Sequence, residues 1–172
     1  LFSYISTSSL LLQEAFGLRE TEFGVVFAIC SIGVFAGVQR GSRLSAHFGP
    51  QKVLIAGTAG MIAAASALLG LDAMRGGHIP LIPAMFAYTL AFGACNPAAQ
   101  VLALQNHRAD SGVAASLMGA LNMTLAAVVG PVIGQFELTS AAPMAIAMLC
   151  CATAAALCLW LIARPSRIEF TL

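Results

Sequence analysis

Five stretches of this chain, at 22–42, 53–71, 79–104, 112–136 and 141–163, run on with hardly a charge, and a sixth at 1–16 is apolar from its first residue. An α-helix needs roughly 20 consecutive apolar residues to cross a hydrocarbon core about 30 Å thick. Inside lipid only helices and closed barrels satisfy their own backbone hydrogen bonds. A barrel strand would alternate apolar and polar residues over about ten positions, and these runs are longer and continuous. The expectation is an all-α integral membrane protein with six transmembrane helices in the lipid bilayer. Composition agrees: 59% of the residues are hydrophobic and 9% charged, whereas soluble domains are roughly 25% charged. The chain opens on Leu1, already inside an apolar run, so a truncated first helix and a missing preceding segment are expected.

The charges fall between the runs with alternating character. Arg40, Arg43, His47 and Lys52 separate the second and third runs, His107, Arg108 and Asp110 the fourth and fifth, and Arg164, Arg167 and Glu169 follow the sixth. The opposite connections carry Glu14, Arg19, Glu20 and Glu22, then Asp72, Arg75 and His78, then Glu137. Six of the eight Lys and Arg thus lie on one side. Short loops rich in Lys and Arg stay in the cytoplasm, which predicts a multi-pass plasma (inner) membrane protein with both ends cytoplasmic. A net charge of +1, with the basic residues scattered, gives no surface for nucleic acid. Cys30, Cys95, Cys150, Cys151 and Cys158 all fall within the runs without the paired spacing of a disulfide or zinc framework; their expected role is packing.

Two features set the helices against one another. Gly33, Gly37 and Gly41 repeat at every fourth position of the second run, and small residues one turn apart let two helix backbones approach closely. Gly130, Pro131 and Gly134 combine such a stripe with a proline, which removes a backbone donor and obstructs the carbonyl four residues back. Both read as packing sites, or as seams along which helices rock.

The segment GACNPAAQ, at 93–100, puts Asn96, Pro97 and Gln100 into an otherwise apolar run. A helix with freed backbone groups is tolerated beside protein or a water-filled cavity and not beside lipid, so Pro97 predicts a bent, cavity-lining helix. Asn96 and Gln100 at i and i+4 share a helical face, and Tyr88 and Phe92 continue the row. Half aromatic and half amide, the row suits a site for an amphipathic small molecule; the competing reading makes Asn96 a cap for a broken half-helix or a hydrogen-bond partner of a neighbouring residue. Asn122 and Tyr4 are further polar candidates within spans. Serines of the first span, Ser6, Ser8 and Ser9, can return their hydroxyls to the backbone.

No Asp, Glu, Lys or Arg sits near the centre of any run, so a titratable proton carrier of the kind ion pathways use is not evident. The sequence also lacks a metal-binding motif, a phosphate-cradling loop and a nucleophile elbow. No enzyme activity, catalytic residue, metal or cofactor is therefore expected.

In order and pattern, YISTSSLLLQEAFGLRETEFGVVFA at the start and GACNPAAQVLALQNHRADSGVAASLMGALNMTLAAVVGPVIG in the second half resemble the major facilitator superfamily. More narrowly, they resemble its drug:proton antiporters of the bicyclomycin and chloramphenicol resistance (Bcr/CflA) branch. The resemblance implies a six-helix bundle, residues 1–172, equivalent to helices seven to twelve of a twelve-helix antibiotic-resistance exporter, whose partner is the missing N-terminal bundle. It implies alternating access about a central site lined by the first and fourth spans, with Tyr4, Asn96, Pro97 and Gln100 beside it, and a proton gradient as energy source. SRLSAHFGPQK, at 42–52, resembles the superfamily's cytoplasmic loop signature. Gly49 matches its second glycine and Arg43 and Lys52 keep basic character, while Ser42, Ala46 and His47 depart from the pattern. A free-standing six-helix interaction or scaffold protein, and an uptake carrier for a small metabolite, are the alternatives.

Overall fold

The computed structural model describes residues 19–73, 80–104, 111–134 and 142–162. Five α-helices fill them: α1 (Glu20–Phe48), α2 (Pro50–Ala73), α3 (Leu81–Leu104), α4 (Ser111–Gly134) and α5 (Ala142–Ile162). No strand occurs among the described residues. The sixth expected span, at 1–16, lies outside them.

Helix α1 begins with its acids where the helix dipole favours them. Glu20 and Glu22 occupy its first turn, and the Arg19 backbone N–H donates to the Glu22 carboxylate at 3.0 Å. Its other end corrects the sequence reading. The apolar run closes at residue 42, and its charges with Arg43 and His47 read as a connection, yet the helix continues to Phe48 and the connection to α2 is Gly49 alone. Nothing between Ser42 and Phe48 breaks a helix; a charge ends an apolar run without ending the helix that carries it. Gly49 ends it, with φ 85° and ψ 144°, a conformation essentially reserved for glycine. Pro50 then opens α2, its fixed φ suiting the first turn and its missing N–H costing nothing there.

Four helices, α1, α2, α3 and α5, are both long and apolar enough to cross a membrane, and the described part of α4 adds a shorter apolar stretch at 112–128. Several of their hydroxyls bond back to carbonyls of their own helix, as lipid favours. Ser31 donates to the Phe27 carbonyl at 2.8 Å, Thr58 to Leu54 at 2.6 Å and Thr124 to Ala120 at 2.8 Å.

Helix α3 is the centre of the described helices, flanked by α1 and α2, while α5 packs on α2. The largest buried side chains, among them Leu68, Leu81, Met85, Tyr88 and Met144, form one cluster. It draws on the beginnings of α1, α3 and α5 and the end of α2, so it sits at one end of the bundle. Toward the other end apolar side chains give way to glycine.

Candidate functional site: the amide flank of the third helix

The glycine stripe of α1 lies on α3. A Cβ at Gly33 would come within 2.7 Å of the Thr89 hydroxyl, and one at Gly41 within 2.5 Å of the Ala94 Cα. At Gly37 it would run into the Leu90 carbonyl, and a Cβ on Gly93 of α3 would run into the carbonyl of Val34 in return. Contacts advance together along both chains, from 33 with 89 to 41 with 94, so the two helices run parallel. Real Cβ atoms essentially never approach other atoms so closely, and at Gly37, Gly41 and Gly93 it is backbone that meets backbone. Packing of this kind holds helices together in lipid, where burial of apolar surface supplies no drive between them.

The opposite flank of α3 is fitted by α2, running antiparallel and meeting it through side chains. A Cβ at Gly57 would collide with the Cys95 sulfur and one at Gly60 would lie 3.4 Å from the Ala91 Cβ. The Cys95 thiol points at the Leu54 carbonyl, 3.9 Å away, so this cysteine fills a gap left by a glycine. Gly57, Gly60 and Gly93 were not singled out from the sequence. Their signal was faint: each is a single small residue in a run rich in alanine, and its value depends on what lies opposite.

Between these two packed flanks α3 has an open one, and the amides stand on it. Asn96 and Gln100 are both exposed, and the Gln100 side-chain N–H donates to the Asn96 side-chain carbonyl at 3.0 Å. The shared face read from the i, i+4 spacing is therefore present as a hydrogen bond. The rest of the row is not on it. Each step of four residues turns a helix by about 40° beyond a full turn, so three steps carry the row through about 120°. Tyr88 ends up 1% exposed within the apolar cluster and Phe92 half-buried. The four residues spiral from core to open surface and do not form one stripe.

Pro97 lies inside α3, which continues as a helix on both sides of it. The helix is not divided into half-helices, so Asn96 is not a half-helix cap; the other arm of the competing reading, a hydrogen bond to a neighbour, is present in its bond from Gln100. Pro97 still lacks the N–H that would reach Gly93, and Gly93 is the residue pressed on Val34 of α1.

The chemistry of the pair follows from its one internal bond. One amide carbonyl and one amide NH2 are engaged with each other, leaving a second carbonyl and a second NH2 to face outward. The same set remains if both amide groups are flipped together. The flank therefore offers one acceptor and one donor group side by side without net charge. Hydrocarbon does not solvate such groups; a polar cavity or another polar segment does.

The remaining sequence candidates lie apart. Asn122 is exposed on α4, which touches α3 and α5 only sparsely among the described residues. Pro131 is within α4, which runs uninterrupted through Gly130 and Pro131 to Gly134. Tyr4 lies outside the described residues. Arg43 is exposed on α1 and Lys52 in the first turn of α2, so the residues of the expected loop signature are helical except for Gly49. Among the described residues no group of His, Cys, Asp and Glu is arranged to hold a metal ion.

The family model for the Major Facilitator Superfamily matches residues 1–170. The chain belongs to the major facilitator superfamily. Among curated proteins, one named as an uncharacterized MFS-type transporter, YdgK of Bacillus subtilis (strain 168), is 28% identical over 144 residues. That alignment covers 83% of this chain and 35% of YdgK, so the chain spans about a third of the length of that relative. No solved structure matches it. Membership in the major facilitator superfamily makes this a multi-pass membrane protein of a transporter family.

Proposed function

We infer that the chain is the C-terminal half, helices seven to twelve, of a proton-coupled exporter of amphipathic small molecules working by alternating access. It would sit in the plasma (inner) membrane with both ends cytoplasmic. The observation that carries the reading is the exposed Asn96–Gln100 pair. It is uncharged, presents a donor beside an acceptor, and stands on the helix that α1 and α2 grip through glycines. A solute with an apolar body and one polar edge could lie against the apolar open surface and hydrogen-bond to the pair, and a small, neutral contact of this kind tolerates many such solutes.

Proton coupling needs a titratable group at depth. In the described helices the carboxylates are at the ends, Glu20 and Glu22 beginning α1 and Asp72 ending α2. The coupling carboxylate would come from the N-terminal bundle, which would also close the opposite wall of the cavity. Helix α1, seamed to α3, would carry the amide pair with it when the two bundles rock.

The experiment is transport by the full-length protein in proteoliposomes under an imposed proton gradient, with a panel of neutral and cationic amphipathic dyes and antibiotics. Export that stops when an uncoupler collapses the gradient supports the reading. Undiminished export under the uncoupler removes the proton coupling, and selective uptake of a single small metabolite removes the exporter.

A further inference from the structure

The end of α1 beyond its apolar run plays no part in that reading. The helix has 29 residues, about 43 Å at roughly 1.5 Å per residue, against a hydrocarbon core of about 30 Å. Its charge-free run, 23–39, already accounts for about 25 Å, and the stretch from Arg40 to Phe48 extends about 13 Å further. This extension is not a loop that can fold away. It remains a helix until Gly49, whose N–H donates to the Ser45 carbonyl at 3.1 Å.

On it Arg40, Arg43 and His47, at i, i+3 and i+7, fall within a sector of about 60°, and all three are exposed. The carboxylates of α1, Glu20 and Glu22, are at its opposite end, and Asp72, the acid of α2, is at the far end of that helix. Beside the basic sector, on the neighbouring flank, Leu44 is 46% and Phe48 63% exposed. Two guanidinium forks and an imidazole thus stand next to two bare apolar side chains, at the level where the helix leaves hydrocarbon.

We propose that this surface binds the phosphate headgroup of an anionic phospholipid. The guanidinium forks of Arg40 and Arg43 match the oxygens of a phosphodiester, His47 adds an N–H donor, and Leu44 and Phe48 lie against the upper acyl chain. The proposal rests on α1 crossing the membrane and is independent of what is transported. It has a consequence for the amide flank: Gly41 adjoins Arg40 and abuts Ala94, two residues before Asn96. A lipid holding the extension also holds that part of α3.

The test uses the full-length protein in mild detergent, with phosphatidylglycerol and phosphatidylcholine of matched acyl chains offered separately and retained lipid counted by native mass spectrometry. Phosphatidylglycerol should be retained over phosphatidylcholine, and millimolar inorganic phosphate should not displace it. R40Q/R43Q should weaken retention roughly tenfold or more, since each basic residue near an anionic surface is worth about a fivefold change. R19Q, at the other end of α1, should leave it unchanged. No preference between the lipids, or equal retention by R40Q/R43Q, overturns the proposal. So does displacement by inorganic phosphate, which would mean a soluble-anion site, or a loss of thermal stability in R40Q/R43Q that is the same with and without lipid, which would mean a protein carboxylate on the arginines. If R40Q/R43Q does not accumulate, the lipid preference and the phosphate competition decide the matter on the wild-type protein.

Discussion

Helices α1 and α4 are both studded with small residues, and the fold treats them oppositely. Gly33, Gly37 and Gly41 of α1 leave no room for a methyl group, because α3 lies against them, whereas Gly112 and Gly119 of α4 have nothing within 4 Å of where a Cβ would stand. The difference is not in the residue type. In lipid a glycine matters only when another backbone occupies the space it leaves, and α1 has that partner while the described part of α4 is largely exposed. The seam is thus a rigid element to which the amide flank belongs, and α4 is a helix whose surface is open to change.

That contrast can be broken most directly at its centre. Gly37→Leu would drive a side chain into the Leu90 carbonyl, and backbone cannot yield as a flexible side chain can. The expected cost is about 3 kcal/mol or more, seen as loss of folded full-length protein from the membrane and a depressed Tm. Gly119→Leu should change the same readouts by less than about 0.5 kcal/mol. Equal damage from both would abolish the distinction between the helices. Gly49→Ala comes next and separates crowding from conformation. Nothing lies within 4 Å of a Cβ there, so the expected loss of about 1–3 kcal/mol in thermal unfolding is backbone strain alone. Wild-type Tm for that variant would mean the junction can relax out of its positive φ.

Smaller effects sharpen the picture around the site. Asn96→Ala and Gln100→Ala each remove an exposed amide and its one internal bond. Transport KM should rise roughly 2- to 10-fold for solutes that use the pair, with membrane abundance unchanged. A parallel fall in abundance would make the pair structural. Tyr88→Phe is the counterpart within the cluster: buried at 1% exposure, it should leave the solute profile as it is, and a changed profile would return Tyr88 to the cavity.

Much of this was legible before any coordinates. The length of the apolar runs required membrane helices, because an unsatisfied backbone has no solvent in lipid, and four of the described helices meet that requirement. The spacing of Asn96 and Gln100 placed them on one helical face, since residues four apart on a helix are neighbours whatever surrounds them, and the structure adds the hydrogen bond between them. Extending the same spacing to Tyr88 failed because the error of about 40° per step accumulates. Bounding α1 at residue 42 failed because hydropathy marks where lipid ends and not where hydrogen bonding does. Only Gly49, with its positive φ, ends the helix.

By itself, then, the sequence determined that this chain crosses a membrane as apolar helices and that one of them carries a neutral amide pair. Both are local properties, set by what each residue does to its own helix and to the solvent around it. Which glycines lie against backbone, why Gly57 is opposite Cys95 and Gly93 opposite Val34, and which side of α3 stays open were decided only by tertiary structure. Those outcomes depend on the identity of a neighbour distant in the chain, and a packing contact is a property of two surfaces meeting rather than of either one alone.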